Sequence, residues 1–583
     1  MRIKQHWFLW GFFVSVQLLQ AQEKEPSIEA QQVTVVKSFN PEVIKVFKQR
    51  PKPQTYDSLA QKQQSVTYSF EDYPVVSTFT PNKATPLKLQ RKQTGPLYNA
   101  LGALGVGGSG QTYLNAAASV VLDRVQTFGL ELLYDETSRN LAEQRLPTHR
   151  SQFSGLLTHN YTLRNSRWDT RLKFQAHQNN FYGLLDVPNV LEDALESLDP
   201  INKRTYFQLQ TQWRNYDGIV NEIPLQLHLY GDSFETRETF LVFNPRFRAD
   251  LGSSFVDLKL NFTGGQNSFT EDFLRATAAE YTHGVGQAAL VWTRLGQRLK
   301  WQVGAKVAQY FTDDAQAESA ELGIYPEFQL EIKPKKGSLR PFIKATGGEQ
   351  IWSLQELSSQ NPFIAPVVNI LPEVQIFKAQ LGFHSAIGKK IDFMWEAQYE
   401  QYYRKGFFKR LPYQQGNNLK AFEYSNAFQR VYDAFNQLSF HSTLAYSFGK
   451  DNSLQFEAVY RDPETETLEA AWNIPEIEAS AKAFVRLFKK AQVQLKYTFV
   501  GNRKGASYTY FNNLNPSDNP ATVVDVAAFS QVQAEVLYQL HPRWEIFSRL
   551  QLNTGDPNSR WLGFPQFQQL FLAGVQYRFN LNL

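Results

Sequence analysis

The end of the chain decides the fold: residues 571–583 read FLAGVQYRFNLNL. Two sets of side chains alternate along this stretch, as they do on the two faces of a β-strand. The first set is Phe571, Ala573, Val575, Tyr577, Phe579, Leu581 and Leu583, and the second set is Leu572, Gly574, Gln576, Arg578, Asn580 and Asn582. A terminal strand in hydrocarbon would leave amide groups unsatisfied at an open edge, so we expect it to pair with the first strand. The stretch therefore predicts a closed transmembrane β-barrel.

The same period of two recurs between about residue 97 and residue 583. Clear examples are the segments 168–177, 256–262, 299–307, 377–384, 493–499 and 532–538. Counting each run once gives about 22 strands, to within about two. The sequence thus predicts an all-β fold, a transmembrane antiparallel β-barrel of about 22 strands with long outer loops and short periplasmic turns.

Short turns and long connections alternate between the predicted strands, a rhythm that is typical of bacterial outer-membrane barrels. Turn residues mark the short ones, for example at 252–254, 388–390 and 449–452. Six tryptophans lie near the short turns, as in an aromatic girdle, namely Trp168, Trp213, Trp292, Trp301, Trp395 and Trp544. We expect long polar connections at about residues 136–150, 183–203, 265–283, 350–374, 405–424, 503–524 and 555–566.

The composition excludes several classes of protein. The 583 residues contain no cysteine, which excludes disulfide frameworks, thiol catalysis and Cys-ligated metal centres. Mean hydropathy is -0.41, so the chain lacks the repeated apolar runs of about 20 residues that a helical membrane bundle needs. Lys plus Arg number 60 and Asp plus Glu number 55, and the two signs alternate along the chain. Nucleic acid is therefore not an expected partner, because phosphate binding needs clustered positive charge.

The N-terminal part of the chain differs in texture from the rest. Residues 1–21 predict a signal peptide, with Arg2 and Lys4 before an apolar core at 7–19 and a small residue, Ala21, at the expected cleavage site. Residues 22–96 are interrupted by prolines and form a predicted periplasmic or lumen-threading segment. Residues 97–583 are the predicted barrel domain. These features together predict export to the outer membrane.

No motif in the sequence indicates catalysis. The histidines are dispersed, and neither HExxH nor GxSxG nor a phosphate-binding Gly-Lys-Ser/Thr loop occurs. We therefore expect neither an enzyme nor a cofactor or metal site. The polar faces of the strands supply seven candidate lumen-facing residues, Arg171, Lys173, Lys259, Lys300, Lys306, Glu396 and Glu400. Their mixed charges suit a water-filled or plugged interior and indicate no single selectivity ring.

Three short segments carry a resemblance to a known family: residues 33–39 (VTVVKSF), residues 75–81 (VVSTFTP) and the terminal strand. Together they resemble TonB-dependent receptors of the Bacteroidetes outer membrane. The resemblance implies a barrel closed by an N-terminal plug and a TonB box, for which the candidate residues are Val33, Thr34, Val35 and Val36. The terminal residues Val575, Tyr577, Phe579, Leu581 and Leu583 resemble the β-signal that the outer-membrane assembly machinery recognises, although that signal normally ends in an aromatic residue.

The segment before the barrel is shorter than the plug domain of the family, which implies a plug that is reduced or missing. Residues 33–36 also have the composition of a strand that docks in the barrel. Ligand uptake across the outer membrane is the first hypothesis for function. The alternatives are a plugless barrel that serves as an assembly partner of an outer-membrane complex, and a passive channel. The predicted partners are outer-membrane lipids, lipopolysaccharide, the assembly machinery and TonB, whereas the ligand is not predicted.

Overall fold

The computed structural model describes residues 98–142, 144–184, 198–269, 279–313, 322–335, 337–412, 420–508, 521–556 and 560–581. The predicted signal peptide, the segment 22–96 and Leu583 lie outside the described residues.

The described residues form one closed antiparallel barrel of 22 strands, which confirms the predicted fold class. Each strand pairs with the next one along the chain, and β22 pairs with β1 to close the ring. The strands are β1 (Ala100–Gly107), β2 (Gln111–Val121), β3 (Gln126–Thr137), β4 (Arg150–Thr162), β5 (Ser166–Asn180), β6 (Ile201–Asn215), β7 (Val220–Asp232), β8 (in two segments, Arg237–Phe243 and Arg246–Leu251), β9 (Ser254–Phe269), β10 (Ala279–Leu295), β11 (Leu299–Thr312), β12 (Gly323–Ile332), β13 (Arg340–Gln350), β14 (Glu373–Ile387), β15 (Ile391–Arg410), β16 (Phe428–Phe448), β17 (Asn452–Thr465), β18 (Ile477–Leu487), β19 (Ala491–Val500), β20 (Phe529–His541), β21 (Trp544–Gly555) and β22 (Gln569–Phe579).

The two faces of the sheet differ in chemistry, as the period of two predicts. Large apolar side chains are exposed on one face, for example Trp168 (49%) and Trp292 (47%). On the other face, polar side chains bond across neighbouring strands, such as Arg549 with Glu535 at 3.1 Å. In a membrane barrel the apolar face contacts lipid and the polar face lines the interior.

The connections segregate to the two ends of the barrel, here called the turn end and the loop end. The turn end carries short turns such as 252–253 and 388–390, and residues 98–99 and 580–581 lie there too. The loop end carries the long connections. One of them contains a separate two-stranded hairpin formed by Arg503–Ser507 and Thr522–Val526.

Two of the predicted connections are shorter in the structure than the sequence predicts. The segment 265–283 begins and ends in strand, because β9 continues to Phe269 and β10 starts at Ala279. The segment 405–424 likewise begins inside β15, which continues to Arg410. Strand ends beyond the lipid-facing belt no longer need apolar residues on one face, so the alternation fades before the pairing ends.

The seam between β1 and β22 has a close backbone approach. Gly574 lies opposite Gly105, and Val575 lies opposite Leu104. A Cβ atom on Gly574 would overlap the carbonyl oxygen of Leu104 and the ring of Phe547. The carbonyl cannot move away without leaving the ladder that closes the ring, so glycine is required at this position.

Replacing Gly574 by alanine is therefore expected to destabilise the closed barrel by about 1–3 kcal/mol, the usual cost of overpacking. The measurement is a reversible urea titration of the barrel in lipid vesicles. Gly102→Ala on β1 is the matched control, since nothing lies within 4 Å of its added Cβ atom. Equal urea midpoints for the two variants would contradict the close approach at the seam.

Candidate functional site

The connection between β13 and β14, residues 351–372, packs against the interior at the loop end and is here called the cap loop. Its one helix, α1 (Leu354–Gln360), starts at a capping box in which Ser353 and Glu356 satisfy each other's backbone amides. Leu354 and Leu357 of α1 are buried, being 3% and 1% exposed. None of the helices among the described residues is long and apolar enough to span a membrane. The predicted polar connection at 350–374 is thus wrong in character, because this loop has an apolar core of its own.

Side chains of β6 and β8 hold the first half of the cap loop. Both carboxylate oxygens of Glu238 accept a hydrogen bond from the backbone N–H of Leu354, at 3.0 and 2.9 Å. The hydroxyl of Tyr206 lies 2.8 Å from that of Ser358. Arg204 donates from Nη2 to the carbonyl of Pro362 at 2.7 Å. These groups fix α1 against one side of the ring.

The second half of the cap loop reaches the opposite side of the ring, at β16. The backbone of Phe428 bonds in both directions with the loop: its N–H donates to the carbonyl of Phe363 at 2.9 Å, and its carbonyl accepts from Ala365 at 2.8 Å. The hydroxyl of Tyr432 accepts from the N–H of Leu371 at 2.9 Å. Since β6 and β16 lie far apart in the strand order, the loop crosses the barrel mouth.

Arg410 joins three further connections to the cap loop region. Its side chain is fully buried and donates to the carbonyls of Gly183, Leu562 and Ser425, the first two at 2.7 and 2.9 Å. Stacking adds to this, because the rings of Phe363 in the cap loop and Phe564 lie 3.7 Å apart. With Leu146 of the β3–β4 connection, at least five connections of the loop end share one buried core, here called the cap.

A buried ion-pair cluster lies where the cap loop enters β14. Glu373 pairs with Arg430 through one carboxylate oxygen and with Lys405 through the other, the latter at 2.8 Å. The side chains of Glu373 and Arg430 are each 4% exposed. Removal of one charge from such a pair would leave the other charge buried and unpaired.

A cavity of about 560 Å³, here called the cap cavity, lies beneath α1 and beside the 560–568 segment. Three arginines line it, Arg150, Arg204 and Arg560, together with His149 and His177. Among the described residues that line it there is no aspartate or glutamate. A second cavity of about 640 Å³ adjoins it deeper in the barrel. The two share a wall formed by Thr137, Arg150, Gln533, Gln551 and Leu570.

The cap cavity concentrates positive charge. Arg150 and Arg560 are exposed, and neither forms an ion pair with a described carboxylate. Partial withdrawal from bulk water, and then the charge of Arg150, lower the pKa of Arg560 from its ordinary value. An arginine stays protonated under such a shift, so both guanidiniums present free donors to the cavity.

The seven candidate lumen-facing residues are spread over several strands and do not form one site. None of them lines the cap cavity. Lys259 and Lys306 line another cavity, of about 340 Å³, where Lys306 pairs with Glu327 at 2.8 Å. Glu400 pairs with Lys378 at 3.4 Å. The other four candidates lie opposite these residues of a neighbouring strand: Arg171 opposite Gln210, Lys173 opposite Gln208, Lys300 opposite Glu331 and Glu396 opposite Gly382.

The other predicted site residues fall at the ends of the chain. Val33, Thr34, Val35 and Val36 lie outside the described residues. In β22, Val575, Tyr577 and Phe579 pair with Leu104, Gly102 and Ala100 of β1. The N–H of Leu581 donates to the side chain of Asn99 at 2.7 Å. Whether these residues act as a β-signal stays a prediction.

Sequence reasoning missed the residues that build the cap cavity. Arg150 is the first residue of β4, and Arg560 lies in a connection, so neither belongs to a clear alternating run. One signal was available for Arg150: it lies two residues before Gln152 on the same strand, and alternate residues of a strand point to the same face. No local signal marks Arg560, because its position depends on contacts between distant loops.

Comparison with known proteins gives a fold. No protein-family model matches the chain, and no curated protein matches it. Among solved structures, the FrpB iron transporter from Neisseria meningitidis (F3-3 variant) is similar with a TM-score of 0.61 and 9% identity, over 83% of this chain and 82% of that one. This chain therefore has the fold of that transporter. The siderophore receptor PirA from Acinetobacter baumannii follows with a TM-score of 0.59, 8% identity and coverage of 82% and 80%. The copper transporter OprC has a TM-score of 0.57, 10% identity and coverage of 83% and 80%.

Proposed function

We propose that this chain is an outer-membrane receptor of the TonB-dependent type, which takes up a small ligand and catalyses no reaction. The observation that carries the proposal is a 22-strand barrel whose mouth is crossed by a bonded loop above a cavity of ligand size. Similarity in fold to iron and copper transporters and to a siderophore receptor supports it. The loop end then faces the outside of the cell and the turn end faces the periplasm.

The proposal assigns roles to the parts of the chain that precede the barrel. Residues 1–21 direct export, and residues 22–96 act as a reduced plug at the periplasmic side. Within that segment, residues 33–36 serve as the TonB box. A barrel of Bacteroidetes origin would share these features, and the terminal strand would be recognised by the assembly machinery during insertion among lipids and lipopolysaccharide.

The seven polar-face residues complete the proposal. Arg171, Lys173, Lys259, Lys300, Lys306, Glu396 and Glu400 would line the water-filled path beneath the cap. Where their contacts are described, they involve partners on the same face, as Lys306 with Glu327 and Glu400 with Lys378. Such balanced pairs suit a path that a ligand crosses without tight binding.

TonB coupling is tested by site-specific crosslinking in the periplasm. A crosslinker at positions 33–36 is expected to capture TonB, and Val35→Pro is expected to lower the yield by about tenfold, because proline cannot donate to the strand that a TonB box forms with its partner. Val76→Pro, in the second apolar segment, is the matched control and should leave the yield unchanged.

Two outcomes would count against TonB coupling. One is no capture from any of the four positions in cells that hold TonB. The other is an equal loss of yield in the two proline variants, which would indicate a general disturbance of the N-terminal segment. Failure to capture TonB would favour the alternative of an assembly partner in an outer-membrane complex.

A further inference from the structure

We propose that the cap cavity binds a small polyoxygenated anion, and that Arg150 and Arg560 hold its carboxylate or phosphate oxygens. The inference rests on the proposed uptake function, because it names the chemical class of ligand for that same cavity. It is carried by the charges, the hydrogen-bonding groups and the neighbouring surfaces of the cavity.

The first argument is the local excess of positive charge. Two arginines in the same cavity repel each other, and no described aspartate or glutamate of the lining compensates them. The third arginine, Arg204, holds the cap loop, because its Nη2 donates a hydrogen bond to the carbonyl of Pro362. Arg150 and Arg560 thus retain planar sets of N–H donors that match an oxyanion in a bidentate way.

The second argument is the chemistry of the remaining wall. Carboxamide side chains dominate it, and they both donate and accept hydrogen bonds. A ligand with several hydroxyl or carbonyl groups would satisfy them, whereas a bare inorganic ion would not reach most of them. The amides concerned include Gln152, together with Gln175, Gln531 and Gln551, which each already bond through one of their two polar atoms and keep the other for a ligand.

The third argument is the contrast with the adjoining cavity. There two of the cations have acidic partners: Arg549 pairs with Glu535 at 3.1 Å, and Lys482 lies 3.4 Å from Glu457. The interior is therefore not cationic throughout. Among the described arginines that line the two cavities, Arg549 is the one with an ion pair, and the two with free guanidiniums, Arg150 and Arg560, both line the cap cavity, which places the anion beneath α1.

The test uses the full-length protein purified in detergent and titrated calorimetrically with citrate, inorganic phosphate and sucrose at constant ionic strength. Citrate or phosphate is expected to bind, and sucrose is not. The double variant Arg150→Gln/Arg560→Gln is expected to bind the anion at least about tenfold more weakly, as loss of charge-assisted hydrogen bonds would cause. Arg549→Gln is the matched control, since it removes a paired interior arginine, and its affinity should stay within about twofold.

The outcomes separate the possible sources of the oxyanion. Binding of citrate alone assigns a carboxylate ligand, and binding of phosphate alone assigns a phosphate ligand. Three results would overturn the proposal: no arginine-dependent binding of either anion, sucrose binding as tight as anion binding, or an equal loss in Arg549→Gln. Should the double variant not fold, the single variants replace it, each with an expected loss of about threefold or more.

The failure of this proposal can be told apart from failure of the proposed function. Calorimetry in detergent needs no TonB, so a negative crosslinking result leaves the binding result standing. Conversely, TonB capture with no anion binding would retain the receptor and reject the ligand class.

Discussion

In a chain that lacks residues 22–96, replacement of residues 352–371 by a short Gly-Ser linker is expected to raise the ion conductance of the barrel in planar bilayers by more than about tenfold. The cap loop crosses the mouth from α1, bonded to Glu238, to its contacts with Phe428 on the other side. A barrel of 22 strands without such a loop has a lumen wide enough for water and ions. The single-channel current at fixed voltage is the measurement.

The control for the loop replacement is an equivalent linker in place of residues 467–475, between β17 and β18. That connection bonds to Asp433, to the backbone of Phe408 and Lys504 and to the side chain of Lys409, and Trp472 packs in a cluster with Phe435; none of these partners belongs to the cap loop. Both linker variants are recorded with and without residues 22–96, which separates the contribution of the cap loop from that of the N-terminal segment. Equal conductance of the two linker variants would contradict closure by the cap loop.

Glu373→Ala is expected to destabilise the barrel by about 3–5 kcal/mol, because it leaves Arg430 charged and buried without its partner. Lys405 loses the same carboxylate, and the N–H of Gly406 loses its acceptor. The free energy of unfolding is measured by reversible urea titration in lipid vesicles. Proteolysis at the loop end should accelerate in parallel, because Glu373 is the residue where the cap loop joins β14.

A second ion pair provides the matched control for Glu373. Glu457 lies 3.4 Å from Lys482, and these side chains are 40% and 45% exposed. Glu457→Ala should cost less than about 1 kcal/mol, as exposed pairs do. The double variant Glu373→Gln/Arg430→Met should recover much of the loss, since it removes both buried charges. Equal losses in the two alanine variants would mean that burial does not set the strength of the Glu373 cluster.

The barrel was predictable because the alternation of apolar and polar side chains is a local pattern that recurs in strand after strand. The alternation in 571–579 is sufficient to place β22, and the need to pair its edge predicts contact with β1, which the register Ala100↔Phe579 confirms. Strand lengths were harder to predict, as in β9 and β10, whose outer ends carry Asn267 and His283 in place of an alternating apolar set.

The cap was not predictable for a different reason. Its residues are ordered by partners far away in sequence, as when Arg204 bonds to Pro362 and Arg410 to Gly183. A short helix such as α1, with two leucines among its seven residues, gives no sign of whether it packs inside a barrel or on a neighbouring loop. The cap cavity depends on the same distant contacts, so its arginines could be assigned only from the structure.

The join between Asn99 and Leu581 also sets the order of events during biogenesis. These residues are 482 positions apart and hydrogen-bonded, beside the strands that close the ring. Under the proposed export to the outer membrane, no native ring can exist until the last strand has been synthesised and has crossed the inner membrane. Until then every growing sheet keeps two unsatisfied margins, which attract other chains. On that proposal, the nascent protein needs a chaperone that shields those margins for the whole of its passage through the periplasm.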